Sequence, residues 1–255
     1  MNKKASKVND NANLGGKDFT FYNELEQYFI DSEDTIIDKL GNFPKYVTRQ
    51  TLTNFLVKYE IFKKIIDVQG SIVECGVAYG GGLLSFAHFS SIFEPVNYSR
   101  KVIGFDTFSG FPELSKSDKT KKPTTQMKKG GYNVNSYDDL KKCIKNYDSN
   151  RFINHIPKIE LVKGDVHKTI PKYIKDNPHL VVSLLYLDMD IYEPTKIALQ
   201  NFIPRMPKGS IIAFDEINAE EWPGETLAVM DELGIGNLRI KRFEIGSLIS
   251  YAVIE

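Results

Sequence analysis

The chain has 255 residues, 42% of them hydrophobic and 26% charged, so one large α/β domain fits its length as well as two smaller ones. Basic and acidic residues number 33 each, which argues against a nucleic-acid-binding protein that relies on bulk positive charge. The longest mostly apolar run, residues 180–187, is too short to cross a bilayer. The polar N-terminus lacks the apolar stretch of a signal peptide, and the only cysteines, Cys75 and Cys143, form no disulfide framework. We therefore expect a cytoplasmic protein without a membrane or nucleic-acid partner.

The N-terminal quarter is predicted to be a tail followed by helices. Residues 1–18 are polar and have no periodicity, so we expect a disordered tail. In residues 19–67, apolar residues recur every three or four positions, with a break near residues 41–44, and this predicts an N-terminal helical cap. Residues 68–255 then form the core domain.

Strands alternate with helices through most of this core. The predicted strands are residues 71–75, 101–105, 159–163, 180–187, 209–214, 238–243 and 248–254, and the predicted helices are residues 83–92, 136–146, 194–203 and 225–233. This alternation indicates a mostly parallel sheet with right-handed crossovers. Only a tight turn separates the last two strands, so that pair must be antiparallel.

One segment of the core, residues 113–135, is predicted to be irregular. Between residues 116 and 129 it carries six lysines and one aspartate. We favour a solvated mobile loop here. A lid that recognises phosphate or carboxylate groups on a substrate remains the alternative.

Ligands of such sheets bind where the strands end, so the residues that follow each strand are candidates for a site. The first strand ends in Glu74, followed by a glycine-rich loop that lets the backbone approach a ligand at a helix N-terminus. The loop is not the dinucleotide pattern G-x-G-x-x-G, because position 78 is alanine. An acid at position 74 suits an ammonium group better than a pyrophosphate.

Acids also end the second and third strands. Asp106 can accept hydrogen bonds from both hydroxyls of a ribose, and a helix or turn cap is its alternative role. Asp165 follows the third strand within a Gly-Asp pair, where it could reach an adenine amino group or simply form a turn.

The fourth and fifth predicted strands deliver a cluster of carboxylates. Asp188 follows the fourth strand and Asp215-Glu216 follows the fifth, and the single helix between these strands makes them near neighbours. Converging carboxylates repel one another unless a cation or protons compensate, and oxygen ligands at a site open to substrate favour Mg²⁺. Capping of helices by one or two of these acids is the alternative.

These motifs together resemble the class I S-adenosylmethionine-dependent methyltransferases and, more narrowly, the macrocin O-methyltransferase family, which methylates sugar hydroxyls. The resemblance rests on Glu74-x-Gly76-x-x-x-Gly80-Gly81, Asp106-Thr107-Phe108, the run from Leu187 to Thr195, and Asp215-Glu216 followed by Trp222-Pro223-Gly224. Met189 stands where that family usually has glycine, and Glu216 where it often has aspartate.

The resemblance implies a Rossmann-like, seven-stranded, mostly parallel sheet with a C-terminal antiparallel hairpin and helices on both faces. It also assigns roles within the site. S-adenosylmethionine would be bound by Glu74, Gly76, Tyr79, Gly80, Gly81, Asp106, Thr107, Phe108, Asp165, Val166 and Asp188. Mg²⁺ would be bound by Asp188, Asp215 and Glu216.

The implied reaction is O-methylation of a sugar hydroxyl. Mg²⁺ would stabilise the developing alkoxide, and Asp188 is our expected base, with His167 as the alternative. The acceptor could be a small-molecule glycoside, a nucleotide-linked sugar or a surface-glycan precursor.

Other classes of function compete with this reaction. A catalytically inactive cofactor-binding or scaffold protein of the same fold is the main alternative, whereas an oxidoreductase is disfavoured by the glycine pattern. The N-terminal helices could also pair subunits into a homo-oligomer.

Overall fold

The computed structural model describes residues 16–246 and 248–255 of the chain. These residues form eight α-helices and seven β-strands. The helices are α1 (Gly16–Asp31), α2 (Ile36–Gly41), α3 (Arg49–Ile65), α4 (Gly81–Phe93), α5 (Tyr137–Ser149), α6 (Val166–Asp176), α7 (Tyr192–Phe202) and α8 (Pro223–Leu233). The strands are β1 (Ser71–Cys75), β2 (Val102–Asp106), β3 (Ile159–Lys163), β4 (Val182–Leu187), β5 (Ile211–Phe214), β6 (Lys241–Arg242) and β7 (Ser250–Val253).

The seven strands form one sheet in the order β3-β2-β1-β4-β5-β7-β6. The first five strands in this order run parallel, and β7 is antiparallel to both of its neighbours. The predicted fold class is therefore confirmed. The sixth strand is shorter than the prediction, because only Lys241–Arg242 pair with β7.

Helices cover both faces of the sheet and bury two apolar cores. Val57 and Phe62 of α3, Phe86 of α4 and Leu140 of α5 belong to the core on one face. The other core receives Ile170 of α6, Phe202 of α7 and Ala228 of α8. Every residue of β4 is buried, as expected of a central strand that is covered on both sides.

Three helices precede the sheet. The predicted break near residues 41–44 follows α2, and a second break lies between α1 and α2. Thr48 begins α3 as its N-cap, accepting a hydrogen bond from the backbone of Thr51. The disordered tail was predicted over residues 1–18. Residues 1–15 of it lie outside the described residues, and α1 begins at Gly16.

One helix was not predicted. Helix α6 joins β3 to β4, where the sequence offered no clear helical signal because Pro171 lies inside the helix. Its start is capped by the Asp165 side chain, which accepts a hydrogen bond from the backbone of His167. None of the helices in the described part of the chain has the length and apolar character of a membrane span.

Candidate active site

A cavity of about 310 Å³ lies where the carboxyl ends of β1, β2, β4 and β5 meet, at one edge of the sheet. Seven residues of the predicted site line it: Gly76, Asp106, Thr107, Val166, Asp188, Asp215 and Glu216. The other predicted residues are not part of the lining: Glu74, Tyr79, Gly80, Gly81, Phe108, Asp165 and His167. The topology thus brings together acids that lie far apart in the sequence.

The loop after β1 holds the ends of two neighbouring strands against each other. Gly76 has a φ of +94°, and a Cβ atom at this position would lie 1.7 Å from the carbonyl oxygen of Asp188. The backbone N–H of Asp188 donates a hydrogen bond of 2.9 Å to the carbonyl of Cys75. Because only glycine fits at position 76, the backbone of Asp188 can lie directly beside the end of β1.

The start of α4 presents backbone donors without a side-chain cap. Gly80 is the N-cap residue, with a φ of +83°, and it has no side chain that could accept from the first turn. Tyr79 is exposed, and a Cβ atom at Gly81 would meet nothing within 4 Å. Since the first N–H groups of a helix have no intrahelical acceptor, this end of α4 is accessible to a ligand.

Glu74 is a buried acid beside this helix start. Its side chain is only 2% exposed, and its Oε2 atom has no hydrogen-bond partner. Burial raises the pKa of Glu74 to about 8, Lys58 opposes the rise, and Asp106 and Asp215 add to it. A buried carboxylate without a partner is costly, so a cationic ligand group would be stabilised here.

Asp106 holds the glycine-rich loop. One of its carboxylate oxygens accepts hydrogen bonds from the backbone N–H groups of Val77 (2.8 Å) and Ala78 (2.9 Å), and the other accepts from Phe108 (2.6 Å). Ala78 and Phe108 have positive φ angles of 46° and 54°, so these bonds fix two unusual backbone conformations. The capping role is therefore present, and contact with a ribose stays a prediction.

The two residues after Asp106 differ in exposure to the cavity. Thr107 lines it, and its hydroxyl donates to the carbonyl of Gly110 over 2.7 Å. Phe108 is buried and packs against Tyr137, with 5.2 Å between the ring centroids. The structure thus gives Phe108 a packing role, and its predicted contact with the cofactor remains untested.

Of the predicted site residues that follow β3, only one lines the cavity. Val166 lines the cavity, whereas Asp165 caps α6. Asp165 also lies 2.8 Å from Nδ1 of His167. Burial alone would raise the pKa of Asp165, but hydrogen bonds from His167 outweigh this and lower it. The exposed His167 is thus engaged with Asp165 outside the cavity lining, whereas Asp188 lines the cavity.

The acids that follow β4 and β5 line one wall of the cavity. Burial, together with the neighbouring Asp215 and Asp190, raises the pKa of Asp188 well above its usual range. The hydroxyl of Tyr186 donates a hydrogen bond of 2.9 Å to Asp215. Asp190 adopts a left-handed conformation with a φ of 60°, which turns the chain sharply at the cavity.

The predicted metal ligands do not form a ready-made centre. Within residues 16–246 and 248–255, no group of three histidine, cysteine, aspartate or glutamate side chains is arranged to hold a metal ion. Asp188, Asp215 and Glu216 nevertheless share the cavity wall. Mg²⁺ commonly binds through one or two carboxylates and completes its shell with water and substrate, so the donor chemistry fits this ion.

Glu225 supports the backbone at Asp215-Glu216, and the sequence analysis did not identify it as a site residue. This fully buried residue in the first turn of α8 accepts a hydrogen bond of 2.9 Å from the backbone N–H of Glu216, and its Oε2 atom has no partner. Burial raises the pKa of Glu225 well above its usual range. An acid in the first turn of a helix is common, so nothing in the sequence distinguishes it.

An aromatic cluster contributes to the lining of the cavity. Phe111, Tyr132 and the buried Trp222 pack with 5.6 Å between each pair of ring centroids. Phe111 and Tyr132 also line the cavity. The cluster joins both ends of the lysine-rich segment to the start of α8 and gives the cavity an apolar wall.

The profile of the macrocin-O-methyltransferase family matches residues 47–231 of the chain. The fold is similar to that of CalS11, a calicheamicin methyltransferase, with 30% identity, a TM-score of 0.90 and coverage of 98% of each chain. A second, apo structure of CalS11, described as a TDP-rhamnose 3'-O-methyltransferase, is 30% identical, with a TM-score of 0.81 and coverage of 94% of this chain and 95% of CalS11. The O-methyltransferase NovP shares the fold at 19% identity, with a TM-score of 0.62 over 79% of each chain. No curated protein sequence gives a significant match.

Proposed function

Because the chain belongs to the macrocin-O-methyltransferase family, we propose that it transfers a methyl group from S-adenosylmethionine to a hydroxyl of a sugar. The observation that carries the proposal is the cavity in which the glycine loop after β1 meets Asp188 and Asp215. An adenosyl cofactor bound in this cavity would lie beside a group that can accept a proton.

The residues around the cavity fit S-adenosylmethionine, which supplies an electrophilic methyl group when bound. Glu74, buried and with an unpartnered oxygen, suits the cofactor's ammonium. Gly76 contributes backbone to the cavity lining, and Val166 provides an apolar contact for an adenine ring. Asp106 already accepts three backbone N–H groups, and because a carboxylate offers about four acceptor sites, capacity for a ribose hydroxyl remains.

Asp188 acts as the general base in this proposal. It lines the cavity, and burial and neighbouring acids raise its pKa, so its carboxylate binds a proton more strongly than an exposed aspartate does. A carboxylate oxygen of Asp188 takes the proton of the acceptor hydroxyl while the cavity walls orient that hydroxyl. The backbone of Asp188 packs directly against Gly76 and donates a hydrogen bond to the carbonyl of Cys75, which fixes the position of the base.

We further propose that Mg²⁺ assists by stabilising the developing alkoxide. Asp188 and Asp215 would bind it, with Glu216 as a third ligand, and water and the acceptor would complete its coordination. Burial raises the pKa of Asp188, and repulsion from Asp215 and Asp190 adds to the rise; this crowding of buried acids supports a cation at this wall. Tyr186 and Glu225 would orient the acids through their hydrogen bonds to Asp215 and the backbone of Glu216.

A nucleotide-linked sugar is the acceptor class that we favour over a neutral glycoside. Residues 112, 131 and 132 line the cavity, so the lysine-rich segment between them lies at its mouth. The six lysines of residues 116–129 are exposed, and the only acid of this stretch, Asp118, is buried. Exposed cations beside the mouth would attract a diphosphate group, as in the TDP-rhamnose of the CalS11 reaction.

The proposal also includes a cellular compartment and an oligomeric state. Cys75 is buried and Cys143 is exposed, and both are free thiols, which supports a reducing compartment such as the cytoplasm. Helix α2 exposes Ile36, Ile37 and Leu40, each by more than half, which supports a homo-oligomer.

Calorimetric titration tests the proposed function. S-adenosylmethionine and S-adenosylhomocysteine are titrated into the wild type and Asp188→Ala, each with Mg²⁺ and with a chelator. We expect binding by both proteins, because Asp188 is assigned to the reaction more than to cofactor affinity. If neither compound binds under any condition, the methyltransferase proposal fails and an inactive scaffold becomes the better description.

A further inference from the structure

Lys58 is a cation near the candidate active site that neither the sequence motifs nor the proposed function uses. It lies in α3, is half-buried, and its Nζ atom is 5.0 Å from the centre of the Tyr186 ring. A Cβ atom on Gly82 would lie 3.2 Å from Cε of Lys58. The N-terminal helices thus bring a positive charge to the first turn of α4.

Glu74 approaches the same point from β1. The Cβ position of Gly82 lies 2.0 Å from Oε1 of Glu74, so the carboxylate and the end of the Lys58 side chain converge over one glycine. Any side chain at position 82 would displace one of them. This arrangement leaves the first turn of α4 bordered by a buried acid on one side and by a lysine on the other.

The two charges do not neutralise each other by direct contact. Among the described residues, Lys58 forms no ion pair with an acid. Burial raises the pKa of both Glu74 and Asp188, and the charge of Lys58 opposes part of this rise, so Lys58 lies within electrostatic range of the cavity wall. Oε2 of Glu74 is buried without a hydrogen-bond partner. A buried carboxylate beside a lysine that does not pair with it suits a zwitterion, whose ammonium would face Glu74 and whose carboxylate would face Lys58.

We propose that Lys58 binds the carboxylate of the methionine part of S-adenosylmethionine, while Glu74 binds its ammonium. The backbone N–H groups at the start of α4 add donors for the same carboxylate. This assignment rests on the proposed function. It gives the helical cap a direct part in cofactor binding, because α3 supplies the cation.

Three ligands that differ in the amino-acid part test the assignment by calorimetry. S-adenosylhomocysteine carries both charged groups, decarboxylated S-adenosylmethionine carries only the ammonium, and 5′-methylthioadenosine carries neither. In Lys58→Met, we expect the affinity for S-adenosylhomocysteine to fall about 10- to 100-fold, the range for a lost hydrogen bond between charged groups. The affinities for the other two ligands should change by less than about 2-fold, because these ligands lack the carboxylate that Lys58 would contact.

Two variants serve as controls. Lys64→Met removes a lysine of the same helix whose Nζ atom likewise lies 5.0 Å from a tyrosine ring, that of Tyr251, and it should leave all three affinities unchanged. Lys58→Arg keeps the charge and should retain part of the affinity for S-adenosylhomocysteine. Equal losses for all three ligands in Lys58→Met, or no loss for any, would overturn the assignment. Wild-type protein that binds none of them would instead refute the proposed function, on which the assignment rests.

Discussion

The carboxylate of Asp118 accepts a hydrogen bond of 2.7 Å from the backbone N–H of Tyr192, the first residue of α7. The other oxygen of Asp118 accepts from the backbone and hydroxyl of Ser115, which closes a short capping box. Asp118, the single acid of residues 116–129, therefore fastens the lysine-rich segment to the helix that follows Asp188. The segment remains irregular as predicted, but this part of it is anchored rather than freely solvated.

Removing this anchor should loosen the wall of the cavity. In Asp118→Ala, the buried N–H of Tyr192 loses its acceptor, and we expect a loss of about 1–3 kcal/mol in the free energy of unfolding. Trypsin should also cut faster after the lysines of residues 116–129. Chemical denaturation and timed proteolysis measure the two effects. The matched control is Lys122→Ala, which breaks only an exposed ion pair with Glu220 and should change the stability by less than about 0.5 kcal/mol.

The base assignment predicts a selective loss of turnover. In Asp188→Asn, the side chain keeps its shape but cannot accept the proton, so we expect kcat to fall about 10²- to 10⁴-fold. His167→Gln, which changes a residue outside the cavity lining, should retain kcat within about 3-fold if it has no part in proton transfer. Steady-state kinetics of both variants decide between the two candidate bases. A larger loss in His167→Gln than in Asp188→Asn would reverse the assignment.

Glu74 should make the stability of the cofactor-free protein depend on pH. Burial raises its pKa from 4.5 to about 8 in the folded protein, so between these values the unfolded chain has released a proton that the folded chain still holds. The contribution of Glu74 to stability is therefore lost as the pH rises through this range, with a slope of at most about 1.4 kcal/mol per pH unit. Glu74→Gln removes the titrating group, and denaturation curves from pH 5 to 8 should show the wild type losing stability relative to this variant.

The exposed Glu193→Gln provides the baseline for that comparison, because its stability should follow the wild type at every pH. Parallel profiles for wild type and Glu74→Gln would show that the folded protein does not hold this proton. Cofactor is left out of the experiment, since an ammonium beside Glu74 would favour the ionised form and lower its pKa.

Arg100 should stabilise the fold without affecting the cavity. It is buried, forms an ion pair with Glu94 at 2.8 Å, and donates to the carbonyl of Gly70 (2.9 Å) and the hydroxyl of Ser183 (2.7 Å). Arg100→Met removes the charged partner of Glu94 and one donor to each of these acceptors, so we expect a loss of about 3–5 kcal/mol, measured by chemical denaturation. Arg242→Met, on the exposed β6, should change the stability by less than about 0.5 kcal/mol. Equal effects of both variants would contradict the role of Arg100.

The sequence predicts the sheet better than it predicts how the site is supported. The strands were recognisable because short apolar runs end in glycine or acid, and the positions of Asp188 and Asp215 at neighbouring strand ends follow from topology alone. Helix α6 was missed because Pro171 masks its periodicity. Lys58, Asp118 and Glu225 were not predicted because their roles depend on contacts with distant segments, and a lysine in a helix or an acid in a first turn carries no local signal of such contacts.

The central claim is methyl transfer from S-adenosylmethionine to a sugar hydroxyl. The most direct measurement incubates the protein with Mg²⁺, methyl-labelled S-adenosylmethionine and two acceptors, TDP-rhamnose and a neutral methyl rhamnoside, and identifies the products by mass spectrometry and NMR. We expect one labelled O-methyl group on the sugar of TDP-rhamnose, less product from the neutral glycoside, and almost none with Asp188→Asn. Cofactor binding without labelled product from either sugar, together with transfer to a phenolic acceptor, would contradict it.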